Sequence, residues 1–302
     1  MDNRVSVILH TYYRYEPLEN VLNALSGQTV DPYEVVISDQ TPLSERPEGF
    51  YGRFPKLNLV INNLEHPSHA PAQNIGVKAS SGNLLLFLDD DMEFSDDFIK
   101  SHVDVLNEEH VDVVFGAVSE KENLPDSIER DPTWMDPLSY FLKSPKKKWD
   151  GMILITHGGN TLIKRDHFLA VGGYDEKIPR MADIELGYRL FLNGAKMFYS
   201  QRPFAIHRRW SSGGTRKTQK DIKYLRLVSR IYLYKKHFPG WTTRQFFLKE
   251  VLGAFLFREF VSGKFVKKNI LKPYYPLASL LKLLKANREA KGLFESKQQP
   301  IF

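Results

Sequence analysis

The chain of 302 residues contains no cysteine, which excludes a disulfide framework and a thiolate zinc site. It also lacks any run near the ~18 consecutive apolar residues that a membrane-spanning helix needs. The opening, MDNRVSVILHTYYRYE, has too short an apolar stretch for a signal peptide and no small-residue cleavage site. Internal repeats and low-complexity segments are absent as well. The expectation is a cytoplasmic protein, at most peripheral on the inner face of a membrane. What remains is an ordinary globular composition, 42% hydrophobic and 26% charged, in a length that suits one large domain or two smaller ones.

Acidic residues are scarce at one end only. From Gly240 onward there are twelve Lys and Arg against four Glu, so this tail carries +8 while residues 1–239 carry −2. Phe246, Phe247, Phe255, Phe257 and Phe260 lie among those cations. A basic, aromatic helix of this kind suits an anionic membrane surface. The same charge is a weak argument for nucleic acid, which is not an expected partner. The competing readings are that the tail packs on the rest of the chain or forms a homodimer contact.

The most informative stretch is Asn83–Phe94, NLLLFLDDDMEF. Its uninterrupted apolar run reads as a strand covered on both faces. Three aspartates at the carboxyl end of such a strand sit where open α/β sheets bind ligands. Adjacent carboxylates disfavour one another's ionisation, so a cation is expected among them, most simply a divalent metal with oxygen ligands. The plainer alternative is a solvated acidic turn. That explains Ser95, Asp96 and Asp97, a cap and acidic first turn for the next helix, better than it explains Asp89 and Asp91.

Strand patterns at Arg4–Leu9, Glu34–Ser38, Leu57–Ile61 and Val111–Val118 alternate with helical patterns after Pro17, over Pro71–Ser80 and from Phe98. That alternation implies a mainly parallel sheet flanked by helices. Residues 119–150 break the pattern. Trp134, Tyr140 and Trp149 there offer either sugar-stacking faces or packing. Regular structure resumes at Gly151–His157, with helices near Asp166–Val171 and Ala182–Asn193 and a strand at Lys196–Ser200. Beyond Thr218 the pattern is helical and amphipathic.

Taken in order, these segments resemble family 2 glycosyltransferases. VSVILHTYYR (5–14) is similar to the family's opening VSVIIPTYNR, with His10 and Tyr13 substituted. LSGQT (25–29) matches the end of the first helix. EVVISDQT (34–41) keeps the first aspartate of the second strand as Asp39, and Gln40 replaces the second. PAQNIGVKASSGNLLLFLDDD (71–91) keeps Asn74, Gly76, Ala79 and Gly82 and ends in Asp-x-Asp. GGNTLIKRDHFLAVGGYDE (158–176) and ADIELGYRLFLNGAK (182–196) match the acceptor half. The resemblance covers residues 4–210, about two thirds of the chain.

This resemblance implies the GT-A fold, a Rossmann-like α/β domain over 1–217, with its nucleotide-sugar half in about 1–118 and its acceptor half in about 151–217. A helical, basic extension fills 218–302. It implies a nucleotide-diphospho-sugar donor, UDP-linked by preference, held by Thr11, Asp39, Asn74, Asp89 and Arg209. Asp39 is expected to accept hydrogen bonds from the nucleobase. Asp89 is expected near the ribose or on metal-bound water. Mn²⁺ or Mg²⁺ is expected on Asp91 and His207, and Asp90 is expected to point away from them, as strand side chains alternate. Asp183 aligns with the catalytic base, although the family's preceding glutamate is Ala182 here. Glu185 is either a rival base or a first-turn helix acid. Ile206, where processive synthases carry glutamine, argues against polymerisation. The implied activity is inverting transfer of a sugar to a hydroxyl of a glycan or lipid-linked acceptor in bacterial surface polysaccharide synthesis. The alternative is an inert carbohydrate-binding scaffold on the same fold. A nucleotidyltransferase is disfavoured because HTYYRYEP has neither a glycine-rich phosphate loop nor a signature lysine.

Overall fold

The computed structural model describes residues 3–120, 151–152, 158–210, 212–214, 221–238, 240 and 275–296. The segment holding Trp134, Tyr140 and Trp149 and the phenylalanine-rich part of the tail lie outside the described residues. Strands β1 (Val5–Thr11), β2 (Glu34–Asp39), β3 (Leu59–Asn63) and β4 (Leu84–Leu88) alternate with helices α1 (Tyr15–Ser26) and α2 (Ala70–Ala79). All pairings among these four strands are parallel, in the order β3-β2-β1-β4. Their carboxyl ends therefore share one edge, and Thr11 pairs with Asp39 across it.

The rest of the sheet is mixed. Next come β5 (Met92–Phe94), α3 (Phe98–Glu108), β6 (Val113–Ser119), β7 (Gly151–Met152) and β8 (Asn160–Lys164). They are followed by α4 (Arg165–Ala170), α5 (Ala182–Leu192) and β9 (Met197–His207). Strand β8 runs antiparallel to both β4 and β6. The nine strands extend as β4-β8-β6-β9-β5, with β7 also on β9. The α/β class expected from the sequence holds, and the parallel pattern describes its first half. β8 is invisible to periodicity, since NTLIK offers only two apolar residues and buries Asn160 and Thr161 through long-range pairing.

The apolar run of β4 is buried on both faces, as its composition demands. Leu85 and Phe87 join Ile8, Val36 and Phe115 on one side, beneath α2 and α5. Leu84, Leu86 and Leu88 join Val7, Leu22 and Ile99 on the other, beneath α1 and α3.

Helix α6 (Ile222–His237) belongs to the first of these clusters. Val228, Ile231 and Leu233 are essentially fully buried, a contribution of about 1.5–3 kcal/mol each. Helix α7 (Tyr275–Glu295) packs on α6 through Leu283, Ala286 and Ala290. Its opposite face exposes Leu281, Leu284, Lys285, Arg288 and Lys291. Among the described residues, no helix is long and apolar enough to cross a membrane.

Candidate active site

The apolar strand β4 ends at Leu88, and the next three residues are Asp89, Asp90 and Asp91. Asp90 and Asp91 form a turn, so the alternation of side chains stops where β4 stops. Asp90 is buried and lies outside the Asp89, Asp91 and His207 set, yet it shares a partner with Asp91. Both meet one guanidinium, with Arg14 Nη1 3.0 Å from Asp90 Oδ1 and 2.9 Å from Asp91 Oδ2.

Strand β5 leaves this turn antiparallel to β9, and Met92 pairs with His207. The pairing brings His207 Nε2 to 3.0 Å from Asp91 Oδ1. Ligand atoms of Asp89, Asp91 and His207 all lie within 4.8 Å of one another. No hydrogen bond among the described residues reaches the Asp89 carboxylate. Two carboxylates and one imidazole thus fit a divalent cation that keeps open positions for a substrate.

The charges follow from these contacts. Burial works against the Asp91 carboxylate, but His207, Arg14 and the Trp210 N–H outweigh it and hold its pKa below the usual range. At Asp90 burial wins. Despite Arg14, and with Asp91 repelling, its pKa is pushed up to about 7.

Asp183 approaches from the other side. It sits in the first turn of α5, where the helix dipole favours an anion. The Gly158 N–H donates to its Oδ2 at 3.0 Å. The next residue, Gly159, has φ +92°, and a Cβ built there would lie 2.5 Å from Asp89 Oδ2. The Gly158-Gly159 turn therefore separates the Asp89, Asp91 and His207 set from Asp183 by one peptide, and the backbone at Gly159 favours glycine. Tyr174 lies against both acids. Its phenol is raised first by burial and then by the charges of Asp183 and Asp89.

Glu185, the other acid in that turn, is fully buried. It holds Arg189 Nε at 2.8 Å, Lys236 Nζ at 2.8 Å and His237 Nε2 at 3.0 Å. Burial opposes its charge, but His237, Arg189 and Lys236 keep its pKa well below the carboxylate range. It is committed to binding α6 and is not free to take a substrate proton.

A model of glycosyl transferase family 2 matches residues 6–172. The chain belongs to that family. Among curated relatives, it is 27% identical over 188 residues to a glucosyl-dolichyl phosphate glucuronosyltransferase of Haloferax volcanii, covering 60% of this chain and 58% of that one. It is 34% identical over 107 residues to the glycosyltransferase YwdF of Bacillus subtilis, covering 35% and 38%. The O-antigen biosynthesis protein RfbC of Myxococcus xanthus matches at 28%, over 68% of this chain and 17% of the relative. The chain thus spans less than two thirds of the length of these relatives. Among solved structures, GalNAc-T7 with UDP, GalNAc and Mn²⁺ superposes with TM-score 0.64 at 16% identity, over 83% of this chain and 49% of that one. Staphylococcus aureus TarS 1–349 with UDP-GlcNAc superposes with TM-score 0.62 at 15% identity, over 96% and 83%. These similarities show the fold.

The other residues expected at the donor in this family 2 chain are placed unevenly. Thr11 and Asp39 end β1 and β2 side by side, both buried. Asp39 Oδ2 accepts from the hydroxyls of Tyr15 and Tyr51 at 2.8 and 2.7 Å and lies 3.1 Å from Arg46 Nε, while Oδ1 accepts from Thr41 N–H. Asn74 is buried under the site. Its Nδ2 donates to Tyr174 O and Glu176 Oε1, and its Oδ1 accepts from Tyr174 N–H. That anchors the Tyr174 loop to α2. Arg209 is half-exposed, with φ 50°, and ion-paired to Glu120.

Three participants escaped the sequence reading: Arg14, Gly158 and Gly159. The signals were in the text, as Arg14 stands in the opening motif and the two glycines head the acceptor-half match, but their partners lie more than 20 residues away in the chain.

Proposed function

We propose that the protein is a metal-dependent, inverting glycosyltransferase. It moves a sugar from a nucleotide diphosphate, by preference UDP, to a hydroxyl of a glycan or lipid-linked acceptor in surface polysaccharide assembly. The observation that carries this reading is the Gly158-Gly159 turn, which sets Asp183 across one peptide from the Asp89, Asp91 and His207 set. A leaving diphosphate and an attacking hydroxyl need that adjacency.

Asp91, His207 and Asp89 would hold Mn²⁺ or Mg²⁺, which supplies Lewis-acid stabilisation to the departing diphosphate. Asp183 takes the proton of the acceptor hydroxyl as its oxygen attacks the anomeric carbon, and the donor's glycosidic C–O bond breaks on the opposite side. One such displacement inverts the anomeric centre. The Gly158 N–H holds Asp183, at the amino end of α5, aimed at the acceptor hydroxyl. Thr11, Asp39 and Arg209 frame the donor, and Asn74 acts from beneath by anchoring the Tyr174 loop. In this reading Asp39 meets the nucleobase only when a tyrosine hydroxyl yields its place.

UDP-GlcNAc on TarS and UDP with Mn²⁺ on GalNAc-T7 support the donor and metal parts of the reading. The O-antigen and dolichyl-phosphate relatives support the acceptor class. The basic, leucine-bearing outer face of α7 suits peripheral contact with an anionic membrane carrying such an acceptor.

The test is Asp183→Asn. Removal of a general base lowers kcat by roughly 10²–10⁴-fold, with Mn²⁺-dependent nucleotide binding retained. Undiminished turnover would refute the assignment.

A further inference from the structure

Arg14 occupies the place where the aspartates of β4 meet the segment following β9. Its Nη1 holds Asp90 Oδ1 and Asp91 Oδ2, its Nη2 donates to Trp210 O at 3.3 Å, and its Nε donates to Ser212 O at 3.2 Å. One planar fork thus joins two carboxylates to two carbonyls. The segment closes on it from above. Trp210 N–H donates to Asp91 Oδ2 at 3.1 Å, and Gly214 N–H donates to Tyr12 O at 2.8 Å. A Cβ built on Gly214 would lie 2.7 Å from the guanidinium, and one on Gly213 would lie 2.5 Å from Tyr13 O. The two glycines are therefore what lets this segment lie down on Arg14.

We propose that Arg14 is a positioning residue that joins the metal-binding aspartate and the Trp210–Gly214 segment into one unit. It also serves as the resident positive charge of the acid cluster. Two consequences follow from the geometry. First, Asp91 is held by one oxygen: Oδ2 is pinned by Arg14 and Trp210, which leaves Oδ1 beside His207 for a cation. Second, Asp90 and Asp91 share a resident cation without any metal, which favours assembly of the site before ion and donor arrive. Lysine cannot replace this arrangement, because an ammonium is a point charge without the planar fork.

The inference rests on the reading above for the cation at Asp91 and for what the segment faces. The exchange measurement uses no metal, donor or acceptor, so it can fail or succeed independently of that reading. Hydrogen exchange is followed at residues 208–214 in the full-length wild type, Arg14→Lys and Arg14→Met, all without metal. Thermal unfolding of each is then recorded with and without Mn²⁺. Both variants should exchange at least roughly tenfold faster at Trp210 and Gly214, the scale of one lost charge-assisted hydrogen bond. Arg14→Met should gain roughly twice the wild-type temperature shift from Mn²⁺, because the ion then supplies the missing charge. Arg14→Lys, which keeps the charge and loses the fork, should show a wild-type shift. That split between charge and fork separates positioning from general structural support. If Arg14→Met folds only with Mn²⁺, the proposal is supported in its strongest form. If it folds in neither condition, Arg14→Lys decides. Wild-type exchange over 208–214 in the lysine variant, or a Mn²⁺ shift in Arg14→Met no larger than wild type, would overturn the proposal.

Discussion

Replacing Gly159 by alanine should separate the metal set from the rest of the fold. The backbone there has φ +92°, and the new Cβ would lie 2.5 Å from Asp89 Oδ2 and 2.7 Å from its Cγ. Two penalties combine. An L-residue held at positive φ costs about 1–2 kcal/mol, and the contact must be relieved by the Asp89 side chain swinging away. Gly172 supplies the control, since it has φ +76° and no atom within 4 Å of a built Cβ. Gly172→Ala should therefore incur the backbone penalty alone. For a chain of this size that lowers Tm by roughly 2–8 °C. Gly159→Ala should show a similar drop and, in addition, at least a tenfold loss of Mn²⁺ affinity in calorimetric titration, the equivalent of about 1.4 kcal/mol. If both alanine variants bind Mn²⁺ equally well, Asp89 is not held by the glycine turn and the geometry argued here is wrong.

Glu185→Gln leaves Lys236, His237 and Arg189 facing a neutral group in a buried place, and breaking such a network costs about 3–5 kcal/mol. Denaturant unfolding should show that loss, and a change below about 1 kcal/mol would mean α6 is held by its apolar contacts alone. A chain ending at residue 217 lacks Lys236 and His237 as well as the buried side chains of α6. It should fail to give a cooperative unfolding transition, whereas a sharp transition near that of the full chain would mark 1–217 as an independent domain. His102 is fully buried with Nε2 2.7 Å from Asn160 Oδ1, and burial lowers its pKa to about 4. The unfolded chain takes up that proton near pH 6.5 and the folded one only near 4. Between these values the unfolded state binds more protons, so stability falls on acidification by up to roughly 1.4 kcal/mol per pH unit. His102→Gln should flatten urea unfolding free energies between pH 6.5 and 4.5, and an unaltered slope would place the titration elsewhere.

The sequence disclosed the fold's first half because its signals are local. The five apolar residues of β4, the helical spacing of Leu18, Val21, Leu22 and Leu25 in α1, and the acids following β4 can each be seen in a short window. Residues of the candidate site were legible where they end such elements, as with Asp39, Asp89 and Asp91. The strands β5 and β8 were not legible, being short or polar and fixed by pairing with distant strands. Arg14 was not legible because its four partners span residues 90–212. The same limit applied to Glu185. Its first-turn position suggested a rival base or a first-turn helix acid, while its actual partners come largely from α6, some 50 residues on. Nor was it legible that residues 212–214 are seated on Tyr12–Arg14.

The central claim is that Asp89, Asp91 and His207 form a metal-dependent donor site. The direct measurement is calorimetric titration of UDP, GDP and dTDP into wild type and Asp91→Ala, each with Mn²⁺ and with EDTA. At least one nucleotide, UDP first, should bind wild type in Mn²⁺ and bind at least roughly tenfold more weakly in EDTA or to Asp91→Ala, the scale set by loss of a metal ligand. Equal affinity in all four conditions, or no binding of any nucleotide in Mn²⁺, would contradict it.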